Sequence, residues 1–240
     1  MALSNLGLVK TSLIDFPGEV AAVVFSFGCN LRCPFCHNPT LVNGSHPEDF
    51  ISRGEILSFL KKRRNVLGGV CITGGEPLLH SDLVLLITEI KALGLKVKLD
   101  TNGTIPDRLR EVKADYVAID FKTSPEKYGL LIGTDANGKP AADSQAIAER
   151  VRNSIRWTIE SGIPHEIRTT VVPQIVKQTD IASMIGLVRG ADLWVLAGYR
   201  PGVVLNPSFQ DVDPYPASSL EKMKQYIEQK GIPCAIRNAR

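Results

Sequence analysis

Six short apolar runs alternate along this chain with stretches of helical spacing, and that alternation limits its folds more than any other feature. Residues 20–27, 69–73, 95–99, 116–121, 166–172 and 193–197 read as strands, with few charges and many β-branched residues. Residues 53–66, 82–93, 107–112, 142–161, 181–188 and 218–229 read as helices. Ser52 stands where a cap is needed, and Gly94 and Gly162 stand where helices stop. Residues 234–236 could add a terminal strand. Strands that alternate with helices call for a parallel sheet with helices outside it. A complete eight-unit barrel takes about 250 residues, so six units predict an incomplete barrel or an open doubly wound sheet. The segment 124–140 holds Pro125, Gly129, Gly133 and Gly138 and reads as an irregular loop, too long to be only a connector. With no Gly/Ser linker, low-complexity segment or short repeat, a single domain over 1–240 is expected. Its core is expected at about 18–200, followed by a C-terminal helix and strand.

Composition narrows the classes. The chain is 240 residues long, 44% hydrophobic, with a formal net charge of +3. That charge is too small to argue for nucleic acid. The basic run Lys61-Lys62-Arg63-Arg64 reads as the solvated end of a helix. No apolar run approaches the ~20 residues of a membrane helix, and no leader pattern opens the chain. A cytoplasmic protein with no membrane role is expected.

The chemistry concentrates in Gly28-Cys29-Asn30-Leu31-Arg32-Cys33-Pro34-Phe35-Cys36-His37-Asn38-Pro39. Cys29, Cys33 and Cys36 follow the first strand on a loop where they can converge on one metal centre. Zinc is one reading, but structural zinc takes four ligands, and His37 is too close to Cys36 to complete a tetrahedron without strain. Cys71 and Cys234 lie alone in strand patterns and read as small buried hydrophobes. A four-iron cluster fits better, because three thiolates leave one iron open for a substrate or cofactor.

The ends of the other strands are polar. They carry Thr73-Gly74-Gly75-Glu76-Pro77, Asp100-Thr101-Asn102-Gly103, Asp120-Phe121-Lys122, Arg168-Thr169-Thr170-Val171-Val172-Pro173 and Gly198-Tyr199-Arg200-Pro201. The C-terminal edge of a parallel sheet is where active sites lie. Paired glycines there let a backbone approach a ligand closely.

The cysteine spacing, with Phe35 before the last cysteine, resembles the radical S-adenosylmethionine (SAM) signature. Gly-Gly-Glu on the next strand supports it. The resemblance implies a partial (βα)6 TIM barrel, a [4Fe-4S] cluster on Cys29, Cys33 and Cys36, and SAM bound at the open iron. It implies reductive cleavage of SAM to methionine and a 5′-deoxyadenosyl radical that takes a hydrogen atom from the substrate. Cys-His-Asn-Pro, Asp-Thr-Asn-Gly and Asp-x-Lys narrow the resemblance to activases of glycyl radical enzymes. The opening Lys10-Thr11-Ser12-Leu13-Ile14-Asp15-Phe16-Pro17-Gly18 is most similar to activators of anaerobic ribonucleoside-triphosphate reductase.

Carried onto this sequence, the resemblance places Phe35 near the adenine and Gly74, Gly75 and Glu76 near the methionyl amino group. Asn102 joins the SAM-binding set, and Lys122 and Arg168 are candidates for the SAM carboxylate or ribose. Asp100, Thr101 and Asp120, with the Ala118 carbonyl, are candidates for a monovalent cation. Phe16 departs from the activase pattern, which leaves Asp15 as the candidate to face a substrate peptide. Arg200 stands where the pyruvate formate-lyase activase has a histidine and would alter the adenine contacts. With no extra cysteine clusters, one cluster is expected, reduced by an external flavodoxin or ferredoxin. The alternatives are a radical SAM enzyme acting on another glycyl radical enzyme, peptide or small molecule, and a zinc or iron–sulfur module without SAM chemistry.

Overall fold

The computed structural model describes residues 3–42, 50–134 and 138–238. The chain divides into two compact units. One comprises Met1–Asn30, Thr40–Thr101 and Asp107–Val117; the other comprises Leu31–Pro39, Asn102–Pro106 and Ala118–Arg240.

In the first unit the order is β1 (Asn5–Ser12), β2 (Ala21–Ser26), α1 (Pro39–Val42), β3 (Ile51–Ser52), α2 (Arg53–Arg63), β4 (Gly69–Gly74), α3 (Leu83–Ala92), β5 (Lys96–Thr101) and α4 (Pro106–Glu111). The strands lie side by side as β3-β1-β2-β4-β5. β2 and β4 pair in parallel, with Ser26 level with Gly74, and β4 pairs in parallel with β5. β1 runs antiparallel to both β2 and β3. Helix α2 begins where expected. Ser52 Oγ accepts the Glu55 amide and the Glu55 side chain returns to the Ser52 amide, a reciprocal capping box. Ile56 and Leu60 bury one face of α2, and Leu83, Leu86, Ile87 and Ile90 bury one face of α3. The basic run at the end of α2 is exposed, as its composition suggests.

The second unit begins within β6 (Tyr116–Asp120) and continues through α5 (Ser144–Ser161), β7 (His165–Val171), α6 (Gln178–Val188), β8 (Trp194–Gly198), α7 (Ala217–Glu228) and β9 (Cys234–Arg237). Its strand order is β6-β7-β8-β9, with β7, β8 and β9 parallel. Asp143 caps α5 by accepting from the Gln145 and Ala146 amides, and Gly162 closes it in the left-handed region.

The six expected strands are β2, β4, β5, β6, β7 and β8, and the six expected helices are α2 to α7, each within three residues of its predicted ends. The strand order closes on itself in neither unit, which suits the α/β partial barrel. The structure adds elements that were not expected, among them the short helix α1 and the two-residue strand β3. The sheet also takes in β1, ahead of where the alternation begins. The predicted loop at 124–140 carries a 3-10 helix, Pro125–Leu131. Residues 135–137 of that loop lie outside the described residues.

Strand alternation sets up the site. Successive side chains point to opposite faces. Val97 and Leu99 of β5 are buried on one face while Lys98 and Asp100 share the other. Likewise Ile167, Thr169 and Val171 of β7 alternate with Glu166, Arg168 and Thr170. Each unit therefore carries charged side chains on one face of its strands, up to their C-terminal ends.

Candidate active site

The cysteine loop is fixed by its backbone. The Gly28 amide donates to the Leu41 carbonyl (2.7 Å) just ahead of Cys29. In the second unit, the Arg32 amide donates to the Leu131 carbonyl (2.6 Å) and the Cys36 amide to the Cys33 carbonyl (3.0 Å). The Pro34 and Cys36 carbonyls accept from the Asn206 and Leu205 amides, each at 2.9 Å. All three cysteines are free of disulfides. Cys33 is buried, and Cys29 and Cys36 are partly accessible. Phe35 is buried beside them.

His37 has another task than completing a zinc site. Its Nε2 lies 2.8 Å from the Arg200 carbonyl. A carbonyl only accepts, so that nitrogen carries the proton. The ring also leans on Tyr199. Cys71 and Cys234 are buried within β4 and β9, as expected. Burial pushes the Cys234 thiol up to about 12, which keeps it protonated. Among the described residues, no three His, Cys, Asp or Glu side chains converge on the position of one metal ion. A four-iron cluster requires no such convergence, since each thiolate holds its own iron.

In the first unit, the tight approach at Gly74 and Gly75 is to protein backbone. A Cβ on Gly75 would lie 2.0 Å from the Gly28 carbonyl oxygen, and one on Gly74 would lie 2.3 Å from the Ser26 oxygen. Gly74 also has φ +116°, which disfavours any other residue. The turn is held by the Gly75 amide on the Ser26 carbonyl (2.9 Å) and the Glu76 amide on the Gly28 carbonyl (2.8 Å). The glycines thus couple the end of β4 to the residue preceding Cys29. Glu76 is fully buried. Its Oε1 accepts from the Leu78 amide (3.0 Å) and the Thr101 hydroxyl (2.8 Å). Asp100 is engaged by the buried Lys98 ammonium at 2.5 Å. Asp15 accepts from the Ser12 hydroxyl, beside the exposed Leu13 and Ile14.

The second unit holds a chain of alternating charge. Arg168 Nε donates to Asp120 Oδ1 (2.8 Å), and Lys122 Nζ lies 3.2 Å from Asp120 Oδ2. Burial alone would raise the Asp120 pKa. Arg168 and Lys122 outweigh it and hold the carboxyl well below the usual range. Arg168 also lies 3.9 Å from the fully buried Glu166, which Arg237 clamps through both guanidinium nitrogens at 3.2 and 2.7 Å. Thr169 ties β7 to β8 and to the residue that follows β6. Its hydroxyl donates to the Phe121 carbonyl (2.7 Å) and accepts from Trp194 Nε1 (3.0 Å). Asn102 shapes the turn after β5, its Oδ1 accepting from the Thr104 amide and hydroxyl. Ala118 is buried within β6. Arg200 donates to Asn238 (2.8 Å). His37, Thr170, Ala197, Gly198, Arg200 and Asn238 line an open cavity of 220 Å³.

Gly74, Asp100, Thr101 and Asp120 are among the last two residues of their strands, and Gly75, Glu76, Asn102, Lys122 and Arg200 follow strand ends by one or two residues. Lys98, Glu166, Arg237 and Asn238 were not anticipated. Lys98 had one available signal, its i,i+2 relation to Asp100 on a strand. The donor chemistry suits the expected cofactors. Cysteines outside any disulfide suit an iron–sulfur cluster, and the paired cations and carboxylates within the second unit suit a zwitterionic sulfonium such as SAM.

Residues 23–184 match the Radical SAM superfamily, and the chain belongs to that superfamily, whose members use a [4Fe-4S] cluster and SAM. Within it, the chain is 30% identical to a candidate glycyl-radical enzyme activating enzyme of Methanocaldococcus jannaschii, over 92% of both chains. It is 25% identical to the pyruvate formate-lyase-activating enzyme of Clostridium pasteurianum, over 90% of this chain and 93% of that one. Among solved structures it is similar in fold to Streptococcus suis SuiB bound to the precursor peptide SuiA. That likeness has a TM-score of 0.64 and 17% identity, over 90% of this chain and 48% of that one. The chain is thus a radical SAM enzyme of the activating-enzyme kind. Among the described residues no helix is long and apolar enough to cross a membrane.

Proposed function

We propose that this enzyme abstracts a hydrogen atom from a glycine of a partner enzyme, an anaerobic ribonucleoside-triphosphate reductase, in the cytoplasm. The observation that carries the activase reading is the likeness to activating enzymes over nine-tenths of both chains. The segment from Lys10 to Gly18 directs the choice of partner. When bound, the reduced cluster supplies the electron that splits SAM into methionine and the 5′-deoxyadenosyl radical that takes the glycine hydrogen. A flavodoxin or ferredoxin delivers that electron.

The chain's own residues bind and orient. Cys29, Cys33 and Cys36 hold three irons. The Gly74–Gly75 backbone and Glu76 receive the methionyl ammonium, and Phe35 flanks the adenine. Asp100, Thr101 and Asp120 are the candidates for a monovalent cation, and Asn102 is a candidate for SAM. Lys122 and Arg168 direct the SAM carboxylate or ribose, and Asp120 keeps both oriented. Arg200 borders the cavity beside His37, and Asp15 faces the entering peptide.

The test is to mix reduced, anaerobically reconstituted protein with SAM and the reductase and record the electron paramagnetic resonance spectrum. A glycyl-radical doublet on the reductase, absent with Cys33→Ala, is expected. Release of 5′-deoxyadenosine with no doublet would move the activity to another glycyl radical enzyme, a peptide or a small molecule.

A further inference from the structure

Asp100, Thr101 and Asp120 are candidates for a monovalent cation by resemblance, and their partners in the structure decide whether they suit one. Lys98 precedes Asp100 by two residues on β5 and so shares its face of the strand. It is among the largest fully buried side chains, 1% exposed. Its ammonium lies 2.5 Å from Asp100 Oδ1. The same ammonium lies 4.0 Å from Cys71 Sγ and 5.9 Å from the centre of the Tyr116 ring, over the ring face. Burying a lysine is costly unless an anion meets it, and here Asp100 is that anion.

Asp120, in the second unit, is likewise met by protein cations. Arg168 Nε stands 2.8 Å from one carboxylate oxygen and Lys122 Nζ 3.2 Å from the other. Thr101 is neutral, and its hydroxyl donates to Glu76 at 2.8 Å. A monovalent ion held by carboxylates depends on negative charge that no other cation has neutralised. An ion placed on Asp100 would lie against the Lys98 ammonium. Pushing that ammonium aside would strand a buried charge. The residues present therefore do not suit a free ion at Asp100.

We infer that the Lys98 ammonium takes the place of a monovalent cation at Asp100. Lys98 is then a positioning residue. It neutralises and orients the carboxylate at the end of β5, as a bound ion would, and SAM binding needs no added potassium or sodium. This rests on the SAM reading given above and changes only the cation in it.

Wild type and Lys98→Met are reconstituted anaerobically, and SAM binding is measured by equilibrium dialysis. The two salts are tetramethylammonium chloride and potassium chloride at equal ionic strength. Wild type should bind SAM equally in both, within about twofold. Lys98→Met should bind SAM about tenfold more weakly in tetramethylammonium than in potassium, because potassium can now reach Asp100. Its apoprotein should also melt at a higher temperature in potassium, with no such shift in wild type. Wild type that gains about tenfold in SAM affinity from potassium would overturn the inference, whether or not Lys98→Met folds. So would a folded Lys98→Met that is indifferent to potassium. A wild type that binds SAM in neither salt would overturn the SAM reading and this inference with it.

Discussion

Replacing Gly75 with alanine tests how the end of β4 is coupled to the cysteine loop. The added methyl would lie 2.0 Å from the Gly28 carbonyl oxygen and 2.7 Å from its carbon. Both are backbone atoms, so no side chain can swing away. Acceptable contact requires a retreat of about 1 Å or more, since packed cores yield little. That retreat stretches the Gly75 amide bond to Ser26 (2.9 Å) and the Glu76 amide bond to Gly28 (2.8 Å). Each such bond contributes about 1 kcal/mol, and overpacking strain adds about 1–3 kcal/mol. The expected loss is about 3–5 kcal/mol, a large part of the ~5–15 kcal/mol that holds a domain folded. Gly186→Ala is the control, because a Cβ there meets nothing within 4 Å on an exposed face of α6. It should stabilise by about 0.5–1 kcal/mol through helix propensity. Urea unfolding of the two apoproteins reads the difference. Gly75→Ala as stable as Gly186→Ala would refute the reasoning.

Other substitutions probe the remaining parts. Asp180 is buried, and burial would raise its pKa, but Lys127, the Lys177 amide and Ser124 hold it below its ordinary 3.8. The folded state thus binds this proton less readily than the unfolded state. The stability from Asp180 is fully present above about pH 4 and fades as pH falls through the lowered value. Asp180→Asn should flatten that acid limb in thermal melts between about pH 2 and 5. Lys98→Met leaves Asp100 without its buried cation and should cost about 3–5 kcal/mol; adding Asp100→Asn should recover more than half by chemical denaturation. Cys33→Ala should abolish iron and sulfide uptake, while Cys234→Ala should leave both at wild-type levels, as direct analysis of reconstituted protein will show.

Where local chemistry decides the structure, the sequence was readable. Ser52 with Glu55, and Gly162 after an amphipathic run, mark helix ends through bonds within a few residues, and the structure has them there. β1 escaped notice because it is an edge-side strand whose Lys10 and Thr11 are exposed, so it lacks a buried run. The 3-10 helix Pro125–Leu131 was hidden behind a proline and a glycine, which also mark loops. Long-range pairs left no local signal. Glu166 and Arg237 are 71 residues apart, and only the pairing of β7 with β8 and β8 with β9 brings them together. The Gly-Gly motif was legible as a close approach, but its partner in the structure is the backbone at Ser26 and Gly28.

The most direct test of the account follows the hydrogen atom itself. A partner reductase carrying α-deuterated glycine would be activated with reduced enzyme and SAM, and the released 5′-deoxyadenosine examined by mass spectrometry. The account predicts deuterium in the 5′-methyl group, appearing with the glycyl radical. Unlabelled 5′-deoxyadenosine in the presence of that radical would contradict it.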